Sequence, residues 1–285
     1  MARRQDDLGR PGMLRTFTSL CDYTIGATDG DIGSIEDVYF DDLSWTVRYL
    51  VVDTGTWLSG RKVLLSPASL RGVDPAVPRI LTELTRRQVK ESPSIDTQKP
   101  VSRQHETEFL SYYGYSPYWA GPYRWGTLPY PYLAGDVPSS VSATPQETRV
   151  AEDLMARENQ GRDDHLRSAR AVSGHGIRAT DGDLGHVADF LIDEHDWAIR
   201  YLIVDPRNWW PGAHVLVGTD WIRGVSWDEG MVEVDVSREA VRNAPRYEPA
   251  GAFGREEEAR LYGHYGRPGY WDRRPEAWRH YPPAA

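Results

Sequence analysis

The sequence predicts a mainly β protein with two small β-barrels in tandem, each followed by a short helix and an aromatic tailpiece. The first observation is an internal duplication at a constant offset of 152 positions, which runs without insertion or deletion from about Ile25/Ile177 to Trp119/Trp271. The second is a series of short apolar runs separated by turn residues, a pattern typical of small barrels and strongly coiled sheets. A repeat of roughly a hundred residues has the size of one domain, so we expect two copies of a whole fold.

The duplication divides the chain into five predicted segments. They are a disordered leader (1–19), a first unit with its tailpiece (20–119), a Pro/Tyr-rich linker with a short charged helix (120–171), a second unit with its tailpiece (172–271) and a C-terminal tail (272–285).

Six runs of the first unit predict its strands, at residues 23–27, 33–41, 46–53, 62–67, 70–73 and 79–84. The first two are joined by Asp29-Gly30, repeated as Asp181-Gly182, and this pair predicts a tight hairpin turn because glycine accepts a positive φ. The run at 46–53 is the most continuously β-branched, which favours a central position in the sheet.

Helices are predicted after the strands of each unit. Thr85 and Ser237 are good N-cap residues, and Pro93 and Pro245 set the limit of the helices that they begin. A second short helix is predicted from about Gln104 to Tyr113, followed by the tailpiece 113–119 and its repeat 265–271. We expect these aromatic rings to dock on a barrel, either their own or that of the other unit, because a soluble protein seldom exposes such a patch.

Composition restricts the class of protein. The net charge of -9 argues against a nucleic-acid binder, which needs a basic surface. The single cysteine, Cys21, excludes an internal disulfide, and no apolar window approaches the roughly 18 residues that a membrane-spanning helix requires. The sequence therefore predicts a cytoplasmic protein without integral membrane insertion, and peripheral membrane association stays open.

Residues 23–93 and 175–245 resemble the PRC-barrel. Three segments carry the resemblance: 27–33 (ATDGDIG), 47–53 (VRYLVVD) and 57–67 (WLSGRKVLLSP). This barrel occurs in the cytoplasmic part of the photosynthetic reaction-centre H subunit and in the C-terminal half of the small-subunit ribosome-maturation factor. The resemblance implies a non-catalytic module that packs against other macromolecules, and it leaves the partner open.

Catalytic, metal and cofactor sites are not predicted. The repeated Asp-Gly-Asp loops lack the full set of six or more oxygen ligands of a calcium site, and the histidines show no paired metal-ligand spacing. Nucleophile elbows and glycine-rich phosphate loops are missing from the sequence. We therefore expect a protein that is not an enzyme and holds no cofactor.

Two sets of residues remain as candidates. Arg48 and Arg200 lie on the most apolar strands, so we expect internal ion pairs with Asp37 and Asp189, with an anion site as the alternative. The second set, Trp57, Trp209 and Trp210, lies in loops, where tryptophan either anchors a partner or covers the barrel.

The leading functional hypothesis is an interaction or scaffold protein that binds an unidentified protein partner, with two similar faces that would allow bivalent binding. The alternative is a peripheral component of a photosynthetic or electron-transfer membrane complex. A ligand-binding protein or enzyme is the weaker third class.

Overall fold

The computed structural model describes residues 14–74, 76–94, 101–119, 121, 123–132, 165–206, 214–249 and 253–272. The chain divides into two compact units. We call them the Phe17 unit (residues 17–173 and 274–285) and the Gly174 unit (residues 1–16 and 174–273). The short charged helix predicted within the linker, at residues 151–158, lies outside the described residues, as do Trp209 and Trp210.

Most of the regular structure is β. The strands are β1 (Leu14–Thr16), β2 (Thr24–Ala27), β3 (Gly30–Asp41), β4 (Thr46–Asp53), β5 (Lys62–Leu65), β6 (Leu70–Val73), β7 (Arg79–Thr82), β8 (Leu166–Ser168), β9 (Gly176–Ala179), β10 (Gly182–Asp193), β11 (Ile199–Asp205), β12 (His214–Gly218), β13 (Ile222–Ser226), β14 (Met231–Val234) and β15 (Arg246–Tyr247). The helices are α1 (Phe17–Leu20), α2 (Arg86–Glu91), α3 (Arg103–Tyr113), α4 (Ala169–Val172), α5 (Arg238–Arg242) and α6 (Arg255–His264).

Each unit contains one mixed sheet. In the Phe17 unit the order is β5-β4-β3-β2-β7-β6, and β8 pairs with β3. In the Gly174 unit the order is β13-β14-β9-β10-β11-β12-β15, and β1 pairs with β10. One pairing in each is parallel, β2 with β7 and β9 with β14. The mainly β prediction is confirmed, whereas no closed barrel is detected among the described strands.

The offset of 152 positions holds in the structure as well as in the sequence. β3 and β10 begin and end at equivalent residues, Gly30–Asp41 and Gly182–Asp193. The bulges also match, since β3 and β4 slip register between Tyr39 and Phe40, and β10 and β11 slip between Leu191 and Ile192. The two units are therefore built alike down to their irregularities.

The predicted leader and linker boundaries need a correction, because each contributes a strand. Residues 14–16 form β1 and add to the sheet of the Gly174 unit, whereas residues 166–168 form β8 and add to that of the Phe17 unit. The leader prediction is wrong for residues 14–19, where the side chain of Phe17 is buried. Neither sheet is thus made only of strands from its own repeat.

The aromatic tailpieces dock on the sheet of their own repeat. Tyr115 and Tyr118 are buried in the Phe17 unit, and Tyr270 is buried in the Gly174 unit. Helix α3 ends at Gly114 in the left-handed conformation (φ 70°), which turns the chain back toward the sheet. Burial of Phe109 and Leu110 on the same helix completes the cover of this core.

Helices of the length and hydropathy needed to cross a membrane do not occur among the described residues.

Candidate functional site

A buried carboxylate lies at the centre of the Phe17 unit. Glu106 is in the first turn of α3, whose N-cap is Ser102, and 0% of its surface is exposed. Its Oε1 accepts hydrogen bonds from the hydroxyls of Tyr49 (2.9 Å) and Tyr118 (2.8 Å). Its Oε2 contacts Arg103 Nη1 at 3.2 Å and His165 Nε2 at 2.7 Å. Both oxygens are thus used inside the protein, which offsets the cost of burying the charge.

Arg48 lies beside Tyr118, one of the donors to this carboxylate, at a β-bulge. Tyr49 pairs with Tyr39 and Val47 pairs with Phe40, so Arg48 is the extra residue of β4. Its guanidinium lies 3.8 Å from the centroid of the Tyr118 ring, a cation–π contact.

The ion-pair partner of Arg48 is not the predicted one. Arg48 Nη2 lies 3.4 Å from Asp41 Oδ2 at the end of β3, and Nη1 donates to the carbonyl of Arg124 at 2.7 Å. The predicted Asp37–Arg48 pair is therefore wrong. The physical reason is the bulge, which lets the arginine reach the hairpin end of the strand rather than its middle.

Asp37 has a different role. Its carboxylate accepts hydrogen bonds from the hydroxyl of Ser168 on β8 and from the backbone N–H of Arg170 on α4. Burial raises the pKa of Asp37, and these two donors counteract only part of the increase. Asp37 thus fixes the added strand β8 on the sheet.

The Gly174 unit repeats the buried cluster. Glu258 Oε1 accepts hydrogen bonds from Tyr201 (2.8 Å) and Tyr270 (2.9 Å), and its Oε2 lies 3.0 Å from Arg255 Nη1. Burial raises the pKa of Glu258 despite these donors. The arrangement carboxylate, two tyrosines and one arginine is therefore common to both units.

Arg200 occupies the bulge position of the Gly174 unit and takes hairpin-end acids as partners. Its Nη2 lies 2.9 Å from Asp193 Oδ2 and 2.7 Å from Asp196 Oδ2, and its guanidinium lies 4.0 Å from the Tyr270 ring centroid. The predicted partner Asp189 instead accepts a hydrogen bond from the N–H of Phe190 and lies opposite Ile203. The acids shown to pair with Arg200 are therefore those at the hairpin end, and a pair with Asp189 stays a prediction.

These contacts set the ionisation of the hairpin-end acids. Burial alone would raise the pKa of Asp41, but Arg48 and His165 hold it below the ordinary value of 3.8. Asp193 follows the same pattern, with Arg200 as the opposing charge. Both aspartates are therefore ionised partners of their arginines at neutral pH.

The repeated Asp-Gly turns join β2 to β3 and β9 to β10. Gly30 and Gly182 have φ values of 140° and 134°, which explains the glycine. The carboxylates have a use beyond the turn: Asp29 Oδ1 accepts the backbone N–H of Arg86, and Asp181 Oδ1 accepts that of Arg238, each at 2.7 Å. These aspartates hold the start of α2 and α5 against the hairpin.

Trp57 is half-buried in the loop after β4. Its indole N–H donates to the carbonyl of Ile32, and the guanidinium of Arg86 lies 4.3 Å from its ring centroid. These contacts are of the kind expected for a residue that covers the sheet, and a partner contact at Trp57 stays a prediction. Trp209 and Trp210 lie outside the described residues.

Among the described residues, no group of three His, Cys, Asp or Glu side chains is placed to hold a metal ion. The two buried carboxylate clusters fix helices and tailpieces on their sheets. Their most evident chemical capacity is structural.

Sequence reasoning missed an apolar surface on the β6–β7 hairpin. Val73, Val77 and Leu81 are 37%, 50% and 38% exposed, and we call these three residues the hairpin patch. Val77 and Leu81 correspond to Glu229 and Glu233 in the second repeat, both exposed. Aligning the two copies at the offset of 152 positions would have revealed this difference, because apolar residues of one copy correspond to acidic residues of the other.

The family model of the PRC-barrel domain matches residues 17–83. The match covers α1 and strands β2 to β7, so a PRC-barrel domain is present in the Phe17 unit. The second repeat lies outside the match. A search of curated proteins found none that matches the chain.

Proposed function

We propose that this chain is a non-catalytic protein-interaction or scaffold protein, and that the hairpin patch of the PRC-barrel domain is its docking surface. The occupant that we propose is an extended strand of a partner protein that pairs with β6. The observation that carries the proposal is that Val77 and Leu81 of this terminal hairpin are exposed and apolar, whereas the equivalent residues of the other repeat, Glu229 and Glu233, are exposed and acidic.

The position of β6 supports strand addition. β6 is the terminal strand in the sheet order of the Phe17 unit, and none of the described strands pairs with its outer edge. Such an edge presents backbone N–H and C=O groups that can pair with an added strand. Proteins usually protect edges of this kind with charged residues.

Both terminal strands carry one paired arginine, Arg71 with Glu83 and Arg223 with Asp235, and the second repeat adds acidic residues. β13 is the terminal strand of its sheet, and the neighbouring β14 carries Glu233 beside Arg178, with Arg178 Nη1 3.9 Å from Glu233 Oε1. In the Phe17 unit the register instead places Leu81 beside Gly26. An apolar partner strand would therefore gain apolar contacts at the edge of β6. At the edge of β13 the same strand would remove water from the charged side chains of Glu233 and Arg178.

The buried clusters support the non-catalytic part of the proposal. General acids, bases and nucleophiles must reach a substrate, whereas Glu106 and Glu258 are enclosed by tyrosine and arginine donors. Arg48 and Arg200 are likewise buried against ring faces and acids. The two buried clusters thus stabilise the fold, and the hairpin patch, which differs between the repeats, is the surface that we assign to recognition.

The test uses the full-length chain as bait in extracts of its native cells, with Leu81→Glu as the disrupting variant. This substitution installs the residue that the second repeat carries at the equivalent position. Leu43→His is the matched control, because Leu43 is also exposed, lies on another hairpin and corresponds to His195. We expect a partner that is retained by the wild type and Leu43→His and is lost with Leu81→Glu.

Amide hydrogen exchange on the purified complex then tests the binding mode. Partner binding should protect the backbone amide of Val73 at least tenfold, because strand addition hydrogen-bonds the outer edge of β6, whereas the Gly72 amide faces β7. Retention that is unchanged by Leu81→Glu would contradict the proposed surface. A partner that belongs to an electron-transfer membrane complex would favour the alternative function.

A further inference from the structure

Strands β1 and β8 are equivalent segments that add to equivalent places. β1 reads Leu14-Arg15-Thr16 and β8 reads Leu166-Arg167-Ser168, again 152 positions apart. Leu14 lies opposite Asp193 in the Gly174 unit, and Leu166 lies opposite Asp41 in the Phe17 unit. Since Asp41 and Asp193 are themselves equivalent, both strands use the same antiparallel register.

Charged contacts recur at the two insertion sites. Arg167 Nε lies 3.0 Å from Asp42 Oδ2, with both side chains largely buried. Arg15 forms the matching ion pair with Glu194, the equivalent of Asp42. Each site thus combines backbone pairing with an arginine–carboxylate contact, which fixes the direction and register of the inserted strand.

The inserted strand is also part of the core. Leu166 is buried in one cluster with Tyr39, Tyr49 and Phe109. The hydroxyl of Ser168 donates a hydrogen bond to Asp37, and it accepts one from the N–H of Ala171 on α4 at 3.0 Å. Removing β8 would therefore expose apolar surface and leave buried Asp37 without the Ser168 hydroxyl, which stabilises the strand in this site.

The chain connectivity makes the exchange reciprocal. β1 precedes the first repeat in the chain but pairs with β10 in the sheet of the Gly174 unit. β8 precedes the second repeat but pairs with β3 in the sheet of the Phe17 unit. Each repeat therefore gives its leading strand to the sheet of the other. Nothing in the register or the contacts at an insertion site depends on the donor belonging to the same chain.

We propose that the two insertion sites also bind the leading strands of a second copy of this chain, so that the protein forms strand-exchanged dimers. Segments joined in one chain meet at an effective concentration on the order of millimolar, so exchange within one chain wins in dilute solution. Exchange between copies makes the same contacts and needs only a comparable protein concentration during folding. This is the usual low-cost route to domain swapping.

The experiment traps the exchange in the full-length chain with a cross-strand disulfide. Thr16→Cys and Leu191→Cys are introduced with Cys21→Ser, because Thr16 and Leu191 are paired in the register. Residues paired across antiparallel strands have Cα separations that suit a disulfide. The chain is unfolded under reducing conditions, refolded at roughly 10 µM or 500 µM, concentrations below the effective value, oxidised and resolved without reductant.

We expect a cross-linked monomer at the low concentration and a covalent dimer that increases at least tenfold at the high one. A second pair, Ser168→Cys with Tyr39→Cys, probes the other site and should give the same result, which covers a failure of Leu191→Cys to fold. The control pairs Thr16→Cys with Glu233→Cys, which lies on β14 and is paired with Arg178 instead, and should give neither product. Absence of dimer at both sites, or an equal yield from the control, would overturn the proposal.

Discussion

The hydroxyl of Tyr118 donates a 2.8 Å hydrogen bond to Oε1 of Glu106, a carboxylate without exposed surface. The tyrosine belongs to the aromatic tailpiece and the glutamate to the helix before it. This bond therefore holds the tailpiece on α3, and Tyr49 of β4, which donates to the same oxygen, joins both to the sheet. Tyr270 and Glu258 form the equivalent bond in the Gly174 unit at 2.9 Å.

Removing this hydroxyl should destabilise the Phe17 unit. Tyr118→Phe leaves the buried carboxyl oxygen of Glu106 with one donor fewer, a loss of about 1–3 kcal/mol in the free energy of unfolding. Urea denaturation measures it. Tyr112→Phe is the control: its hydroxyl donates to the carbonyl of Gln88 at the surface, so about 0.5 kcal/mol or less is expected. Equal losses in the two variants would show that the Glu106 contact contributes nothing special.

The corrected ion pair can be tested by double-mutant cycles. Arg48→Met with Asp41→Asn removes the observed pair, whereas Arg48→Met with Asp37→Asn removes the pair that the sequence suggested. We expect a coupling energy above about 1 kcal/mol for the first cycle and below about 0.5 kcal/mol for the second, since only residues in contact couple. Coupling confined to the Asp37 cycle would restore the original pairing.

Much of this fold could be predicted from the sequence because its signals are local. The six runs of the first unit correspond to β2 to β7, and Thr85 accepts the N–H of Gln88 as a helix cap should. The Asp29-Gly30 turn follows from the conformational freedom of glycine. Apolar runs and turn residues act over a few positions, and such signals survive without knowledge of the tertiary structure.

The partner of Arg48 and the added strands required information that is not local. A bulge shifts one strand by a single residue and changes which acid an arginine reaches. Strands β1 and β8 have only three residues each, too few for a periodic pattern. The sequence nevertheless contains their equivalence, because Leu14-Arg15-Thr16 and Leu166-Arg167-Ser168 extend the repeat toward the N-terminus.

The turns before β4 and β11 also have a conformation that could not be predicted from local sequence. Trp45 and Trp197 have φ values of 50° and 60°, in the region that favours glycine. Both are buried, and Trp45 stacks on Phe40 with ring centroids 5.1 Å apart. Packing of the indole therefore selects a backbone conformation that the residue type alone disfavours.

The docked tailpiece of the Gly174 unit gives a third prediction. Deleting the residues after Phe253 removes α6 with Glu258, Leu261, Tyr262 and Tyr270, all buried. The loss of several apolar side chains at about 25 cal/mol per Å² should destabilise that unit by several kcal/mol. Amide exchange should then accelerate in β11 and stay slow in β4. Unchanged exchange in β11 would show that the tailpiece is not structural.

The final prediction concerns the acid limb of stability, and its sign follows from Asp193. Burial would raise the pKa of Asp193, but Arg200 holds it below 3.8, so its contribution is present above pH 3.8 and is lost as the pH falls through the lower folded value. Asp193→Asn should therefore lower the free energy of unfolding by about 1.5–3 kcal/mol near neutral pH, and that difference should shrink below pH 3.8.

Glu258→Gln is the control of opposite sign, because burial raises the pKa of Glu258 above 4.5. The contribution of Glu258 to stability is therefore present below pH 4.5 and is lost as the pH rises through the folded-state pKa. Urea denaturation as a function of pH measures both differences. If the difference in free energy of unfolding between the wild type and Asp193→Asn stays constant through the acid range, Arg200 does not lower the pKa of Asp193.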